Sequence, residues 1–124
     1  MDAARKPANQ GLLNKRYIAY ARCACASGSA PKLRKQVRLI RQFGDSLDMQ
    51  CVDEVRLVAN GCQPAFRADL RDLLARKRKR NDYDVLIMED FARLTRTERG
   101  SEIEAKFGKC GVQIVYLIEA MSTE

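Results

Sequence analysis

Histidine and tryptophan are both absent from this 124-residue chain. Without histidine there is no Ser-His-Asp triad, no His-x-Glu deaminase centre and no mixed Cys/His zinc site. Aromatic residues make up only 6%, too few for a platform that stacks single-stranded bases. No apolar run approaches the roughly 20 residues that span a bilayer, so a membrane-embedded protein is excluded. The first sixteen residues are polar and basic with no apolar centre, which is not the pattern of a secretory signal. Acidic residues are outnumbered, 16 against 23 Lys and Arg, for a net charge of +7. That imbalance favours a polyanionic partner, with nucleic acid ahead of an acidic membrane surface.

Five cysteines are present (Cys23, Cys25, Cys51, Cys62, Cys110). An odd number scattered through apolar segments fits free thiols in a reducing cytoplasm better than a disulfide framework. Cys23 and Cys25 are separated by one residue, which is not a zinc-chelating spacing. No metal and no cofactor are expected.

The length is that of one domain with one core. Residues 1–15 lack periodicity and contain Pro7, Asn9, Gln10 and Gly11, so a flexible N-terminal arm is expected there, with the domain over 16–124. Arg16 to Arg22 is a short apolar and aromatic run, a first strand, and the small residues Cys23 to Pro31 form a loop at its end. From Lys32 the positions Leu33, Val37, Ile40 and Phe43 have helical spacing, and Gly44 is the expected stop. Met49 to Ala59 alternates as a second strand, and Asn60 to Pro64 is rich in turn residues. Phe66 to Lys79 places Phe66, Leu70, Leu73 and Leu74 on one helical face. Val85 to Met88 is a continuous apolar run bounded by acids, the pattern of a buried parallel strand. Thr97 to Lys109 is a further helix anchored by Ile103 and Phe107, and Val112 to Ile118 a fourth strand. Strands alternating with helices predict an α/β fold in three layers, with a mostly parallel sheet of four to five strands covered on both faces.

In such folds the working site lies beyond the carboxyl ends of the strands. Three strand ends deliver arginines to that edge: Arg22, Arg67, Arg93 and Arg96. A guanidinium fork grips phosphate well, so the set suggests a phosphodiester site. Surface salt bridges with Asp69, Glu89, Asp90 and Glu98 are the competing explanation. Neither Gly-x-Gly-x-x-Gly nor a Walker loop follows the first strand, and no serine sits in a Gly-x-Ser-x-Gly elbow.

Read together, these segments form a pattern. Tyr20-Ala21-Arg22-Cys23-Ala24-Cys25 resembles the Tyr-x-Arg-Val-Ser-Thr signature of the serine recombinases, the resolvase, invertase and serine integrase family. Lys32 to Gln36 is similar to that family's Ser-Leu-x-x-Gln helix opening. Arg67 with Leu70, Leu73 and Leu74 resembles its Arg-x-x-Leu-x-x-Leu-Leu helix. Asp84 to Met88 followed by Phe91-Ala92-Arg93-Leu94-Thr95-Arg96 resembles its Asp-Val-Leu strand and Leu-Asp-Arg-Leu-x-Arg motif. Gly111-Val112 through Ser122-Thr123 resembles its last strand and Ile-Ser-Thr exit. The resemblance runs over about residues 17 to 123 in the family's order.

The resemblance implies a resolvase-like fold and a domain that cleaves and exchanges DNA strands. A serine hydroxyl attacks a phosphodiester, forming a phosphoserine link, without cofactor or required metal. Arg22, Arg67, Arg93 and Arg96 would contact phosphate, Gln36 would support the site, and Asp84 would open the third strand. It further implies DNA as partner, contacted through its backbone, a homo-oligomer such as a dimer, and cytoplasmic location in a bacterial, phage or mobile-element setting. Two positions depart from the pattern. The nucleophile position is Ala24 and the aspartate position is Ala92, and a methyl group can neither attack phosphorus nor carry a proton. The expectation is therefore a recombinase-type domain that has lost its chemistry. Two alternatives stand beside it: an active domain carrying an engineered serine-to-alanine change at 24, and a basic scaffold that does not touch DNA. The family continues past the position of Thr123 into a dimerisation helix and a DNA-binding domain, so a fragment of a longer protein or a minimal relative is expected.

The run Arg76-Lys77-Arg78-Lys79-Arg80 is the densest local charge. It suits a track for a DNA backbone or a localisation address, and equally a solvated helix end whose cations complement the helix dipole.

Overall fold

Arg16–Cys23 forms strand β1, and from Tyr17 onward every residue is buried. Alternate side chains feed opposite faces. Ile18 and Tyr20 enter one core cluster, while Tyr17 and Ala19 enter another on the far face. A strand covered on both sides belongs in the middle of a sheet, and β1 is in the middle. The computed structural model describes residues 11–23, 28–58, 68–94 and 100–121.

The remaining elements are α1 (Ser29–Ser46), β2 (Gln50–Val58), α2 (Ala68–Arg80), β3 (Val85–Met88), α3 (Phe91–Leu94), α4 (Gly100–Lys109), β4 (Gln113–Tyr116) and α5 (Leu117–Met121). The sheet order is β2-β1-β3-β4 and all three pairings are parallel. Leu70, Leu73 and Leu74 of α2 pack with Ile103 and Phe107 of α4 on one face. Leu39, Ile40 and Phe43 of α1 pack with Leu117 and Ala120 of α5 on the other. The three-layer α/β architecture expected from the alternation of elements is the one observed, with four strands among the described residues.

Four boundaries differ from the sequence expectation, each for a packing reason. Helix α1 starts three residues before Lys32, with Pro31 inside its first turn, where a missing N–H costs little. It also runs through Gly44 rather than stopping there. A Cβ at that position would lie 2.6 Å from the ring of buried Tyr17, so the glycine serves the approach of α1 to β1. The turn comes later, at Asp48 with φ 54°. Strand β4 ends at Tyr116 instead of Ile118: Leu117 buries itself as α5 begins, and the Ile118 N–H goes to the Glu89 carbonyl. Finally, Leu12, placed by sequence in the flexible arm, is 1% exposed. Asn14 donates to the Leu47 carbonyl, which ties residues 11–15 to the core.

At the amino edge of the sheet the charges are matched. Arg16 grips Asp84 with two bonds of 3.0 Å, and Lys77 reaches the same carboxylate at 3.2 Å. The Arg16 guanidinium, helped by Lys77, holds the Asp84 carboxyl down at about 2. Arg76 bridges Asp82 and Asp53 and lowers both of their pKa values. Among the described residues no helix is long and apolar enough to cross a membrane, and no group of His, Cys, Asp or Glu could hold a metal ion.

Candidate functional site

The carboxyl edge is built where β1 and β3 part company. Even-numbered residues of β1 turn their backbone groups toward β3, as the bond from the Asp84 N–H to the Arg16 carbonyl shows. The ladder between these strands runs only as far as Ala19 and Ile87. Beyond it, Arg22 would be left with bare backbone groups in a buried place, which is costly. Gln36 of α1 takes the role of the missing strand. Its Oε1 accepts from the Arg22 N–H and its Nε2 donates to the Arg22 carbonyl, both at 3.1 Å. Only a side-chain amide offers one donor and one acceptor in that geometry. Gln36 is 3% exposed.

The Arg22 side chain is equally committed. Arg22 is 3% exposed, and its Nε and Nη2 donate to the carbonyl oxygens of Arg93 and Ala92. These carbonyls belong to the short helix α3. A buried guanidinium thus serves carbonyl acceptors of α3. Arg93 answers in the opposite direction: its Nη1 donates to the Arg22 carbonyl at 3.1 Å and its Nη2 to Glu89 Oε1 at 2.9 Å. Arg22 and Arg93 therefore interlock through each other's backbone. Asp90 stands beside them with its Oδ1 at 3.7 Å from Arg93 Nε, and neither of these two buried atoms has a hydrogen-bond partner.

Of the residues expected at this site, the fold brings together Arg22, Gln36 and Arg93, with the backbone of Ala92; the Ala92 methyl is exposed. Ala24, Arg67 and Arg96 lie outside the described residues. Part of the salt-bridge alternative is present as well, since Glu89 and Asp90 face Arg93. Asp69 accepts from the Tyr20 hydroxyl at 2.7 Å. Asp84 does open the third strand, but at the amino edge, where its role is structural.

The basic run of α2 divides. Arg76 is held by Asp53 and Asp82. Lys77 is 8% exposed and donates to the Tyr83 carbonyl at 2.6 Å. Both are occupied inside the fold, which leaves Arg78, Lys79 and Arg80 facing solvent. The contribution of Glu89 to orienting Arg93 was readable as an i,i+4 pair. The capping of α3 by Arg22, across 70 positions of sequence, left no local signal.

A family model described as the resolvase N-terminal domain matches residues 17–124. The C-terminal catalytic domain of ISC1926 TnpA, an IS607-like serine recombinase, superposes with a TM-score of 0.72 at 24% identity, over 82% of this chain and 69% of that one. The N-terminal catalytic domain of TP901-1 integrase gives 0.72 at 16% identity, over 86% and 79%. A serine recombinase from Sulfolobus solfataricus gives 0.62 at 20% identity, over 83% and 68%. No curated protein matches the chain. The structural likenesses are to the fold of recombinase catalytic domains, and the sequence match extends over nearly the whole chain. By that match the protein belongs to the resolvase N-terminal domain family.

Proposed function

We propose that this chain is a serine-recombinase catalytic-type domain that engages DNA through its phosphates but does not cut it. The observation that carries the proposal is the pair of alanines at the two positions the chemistry needs, Ala24 and Ala92. In-line attack on phosphorus requires a nucleophile, and the departing alkoxide requires a proton. Neither can come from a methyl group. Two losses in separate motifs point to a natural loss of function rather than to a single engineered change at 24. Three other residues of the matched motifs, Gln36, Arg22 and Arg93, form one bonded set at the carboxyl edge. Together with Arg67 and Arg96 they are the phosphate-contacting candidates, and homodimerisation of the family type accompanies them.

The test is incubation with supercoiled and linear DNA, followed by denaturing electrophoresis. No protein–DNA adduct is expected from the chain as it stands, and adducts are expected from the double variant Ala24→Ser with Ala92→Asp. An adduct at any serine of the unaltered chain overturns the reading. One observation favours a second reading, a scaffold that leaves DNA alone: Arg22 is engaged by backbone carbonyls of α3 and Arg93 by Glu89. Absence of DNA binding at low salt would select it.

A further inference from the structure

Helix α1 carries a charge distribution that its own stability does not explain. Lys32, Arg34, Lys35, Arg38 and Arg41 fall within ten consecutive positions, and the first acid is Asp45. The amino-terminal turns of a helix favour anions, yet the first turn of α1 contains no acid. Arg41 has a use in the fold, pairing with Glu54 at 2.6 Å. The other four are exposed, and among the described residues none of them has a carboxylate partner. Leu33, Val37, Ile40 and Gly44 hold the opposite side of the helix against the sheet. At 100° per residue, Lys35 and Arg38 project directly away from that buried side, with Arg34 and Lys32 on its flanks.

We infer that this outward face of α1 is a track for the phosphate backbone of duplex nucleic acid. The inference rests on the reading of the domain as one that engages DNA, and it specifies the surface. Position supports it. The helix follows directly on β1, so its first turns lie at the carboxyl edge of the sheet, and Gln36, between Lys35 and Arg38 in sequence, reaches Arg22 there. A duplex lying on the stripe runs up to the edge that holds Arg22 and Arg93. Chemistry supports it too. A lipid surface would need apolar side chains beside the cations to enter the acyl boundary, and the apolar side of α1 is spent in the core. The run on α2 is the weaker rival, because Arg76 and Lys77 are already occupied.

The test compares Lys32→Gln, Arg34→Gln, Lys35→Gln and Arg38→Gln, combined in one variant, with a control combining Arg78→Gln, Lys79→Gln and Arg80→Gln. Binding to a short duplex is followed by fluorescence anisotropy between about 50 and 200 mM salt. The α1 variant should bind on the order of 100-fold more weakly at the low end and lose about three units of salt slope, whereas the control should change less than about threefold. Its melting temperature should hold or rise, because cations leave the positive end of the helix. A duplex affinity unchanged by the α1 substitutions overturns the track while leaving DNA engagement standing. Equal losses in both variants overturn it as well, since they would report net charge rather than a surface. No binding by the unaltered chain at low salt, or binding only to phosphatidylserine-rich vesicles, overturns the DNA reading and the track together.

Discussion

The two ends of the sheet use the same residue types in opposite ways. At the amino edge cations meet carboxylates: Arg16 and Lys77 share Asp84, and Arg76 spans Asp53 and Asp82. At the carboxyl edge the buried Arg22 donates to carbonyl oxygens of α3, and an amide side chain completes its backbone. Partly exposed ion pairs contribute little each, because water and salt screen them. Buried polar groups in a bonded set cost far more to disturb, because removing one member strands the others. The carboxyl edge should therefore dominate the fold's response to mutation, although among the described residues the amino edge has more ion pairs.

The sharpest way to break this comparison is Gln36→Leu. It keeps the volume but strands the N–H of Arg22 and removes one donor from its carbonyl, so a loss of about 3 kcal/mol in urea unfolding is expected. A cost below about 1 kcal/mol would mean that water replaces the amide, and the edge would be softer than described. Next comes Arg22→Lys, which keeps the charge but replaces the planar two-nitrogen fork that reaches both carbonyls with a single nitrogen. A loss of about 2 kcal/mol is expected, and near-wild-type stability would show that charge alone suffices.

At the amino edge, Asp84→Asn should cost about 1 kcal/mol at neutral pH. The sign of its pH dependence follows from the depressed carboxyl. Asp84 lies at about 2 in the fold, against about 3.9 in an unfolded chain. Its stabilising effect is fully present above the unfolded value and is lost as the pH falls from about 4 through about 2. Asp53 and Asp82, also lowered, add to the same acid limb. Stability measured against pH should converge for the variant and the parent near the acid end, and parallel curves would exclude the linkage. The smallest effect belongs to Arg78→Gln, Lys79→Gln and Arg80→Gln together, within about 0.5 kcal/mol in stability.

The regular framework was legible in the sequence because period and composition are local. Val85 to Met88 shows itself as a buried strand, and the Leu70, Leu73, Leu74 spacing as a helix face. Gly44 was misleading for a physical reason: a glycine that ends a helix and one that lets a helix approach a tyrosine ring look identical until Tyr17 is placed beside it. Leu12 gave only the faint signal of an apolar pair, Leu12-Leu13, in a polar stretch. At the site, motif resemblance chose Gln36, Arg22 and Arg93, but their bonds could not be read. Those bonds join residues 14 and 71 positions apart and depend on where β3 stops.

Among the described residues, strand β2 stands at the margin of the sheet with nine residues and one side without a neighbouring strand. Such a margin invites a second chain to add itself as a further strand, the first step of runaway aggregation. Here the register slips between Tyr17 and Ile18 of β1, leaving Val52 as an extra residue that bends the margin. Two successive acids then point to opposite faces. Asp53 is held by Arg76, and Glu54 lies between Arg41 at 2.6 Å and Arg56 at 2.7 Å. An incoming strand would have to straighten the bend and strip water from both charge clusters. The margin of β2 is thereby guarded against edge-to-edge pairing.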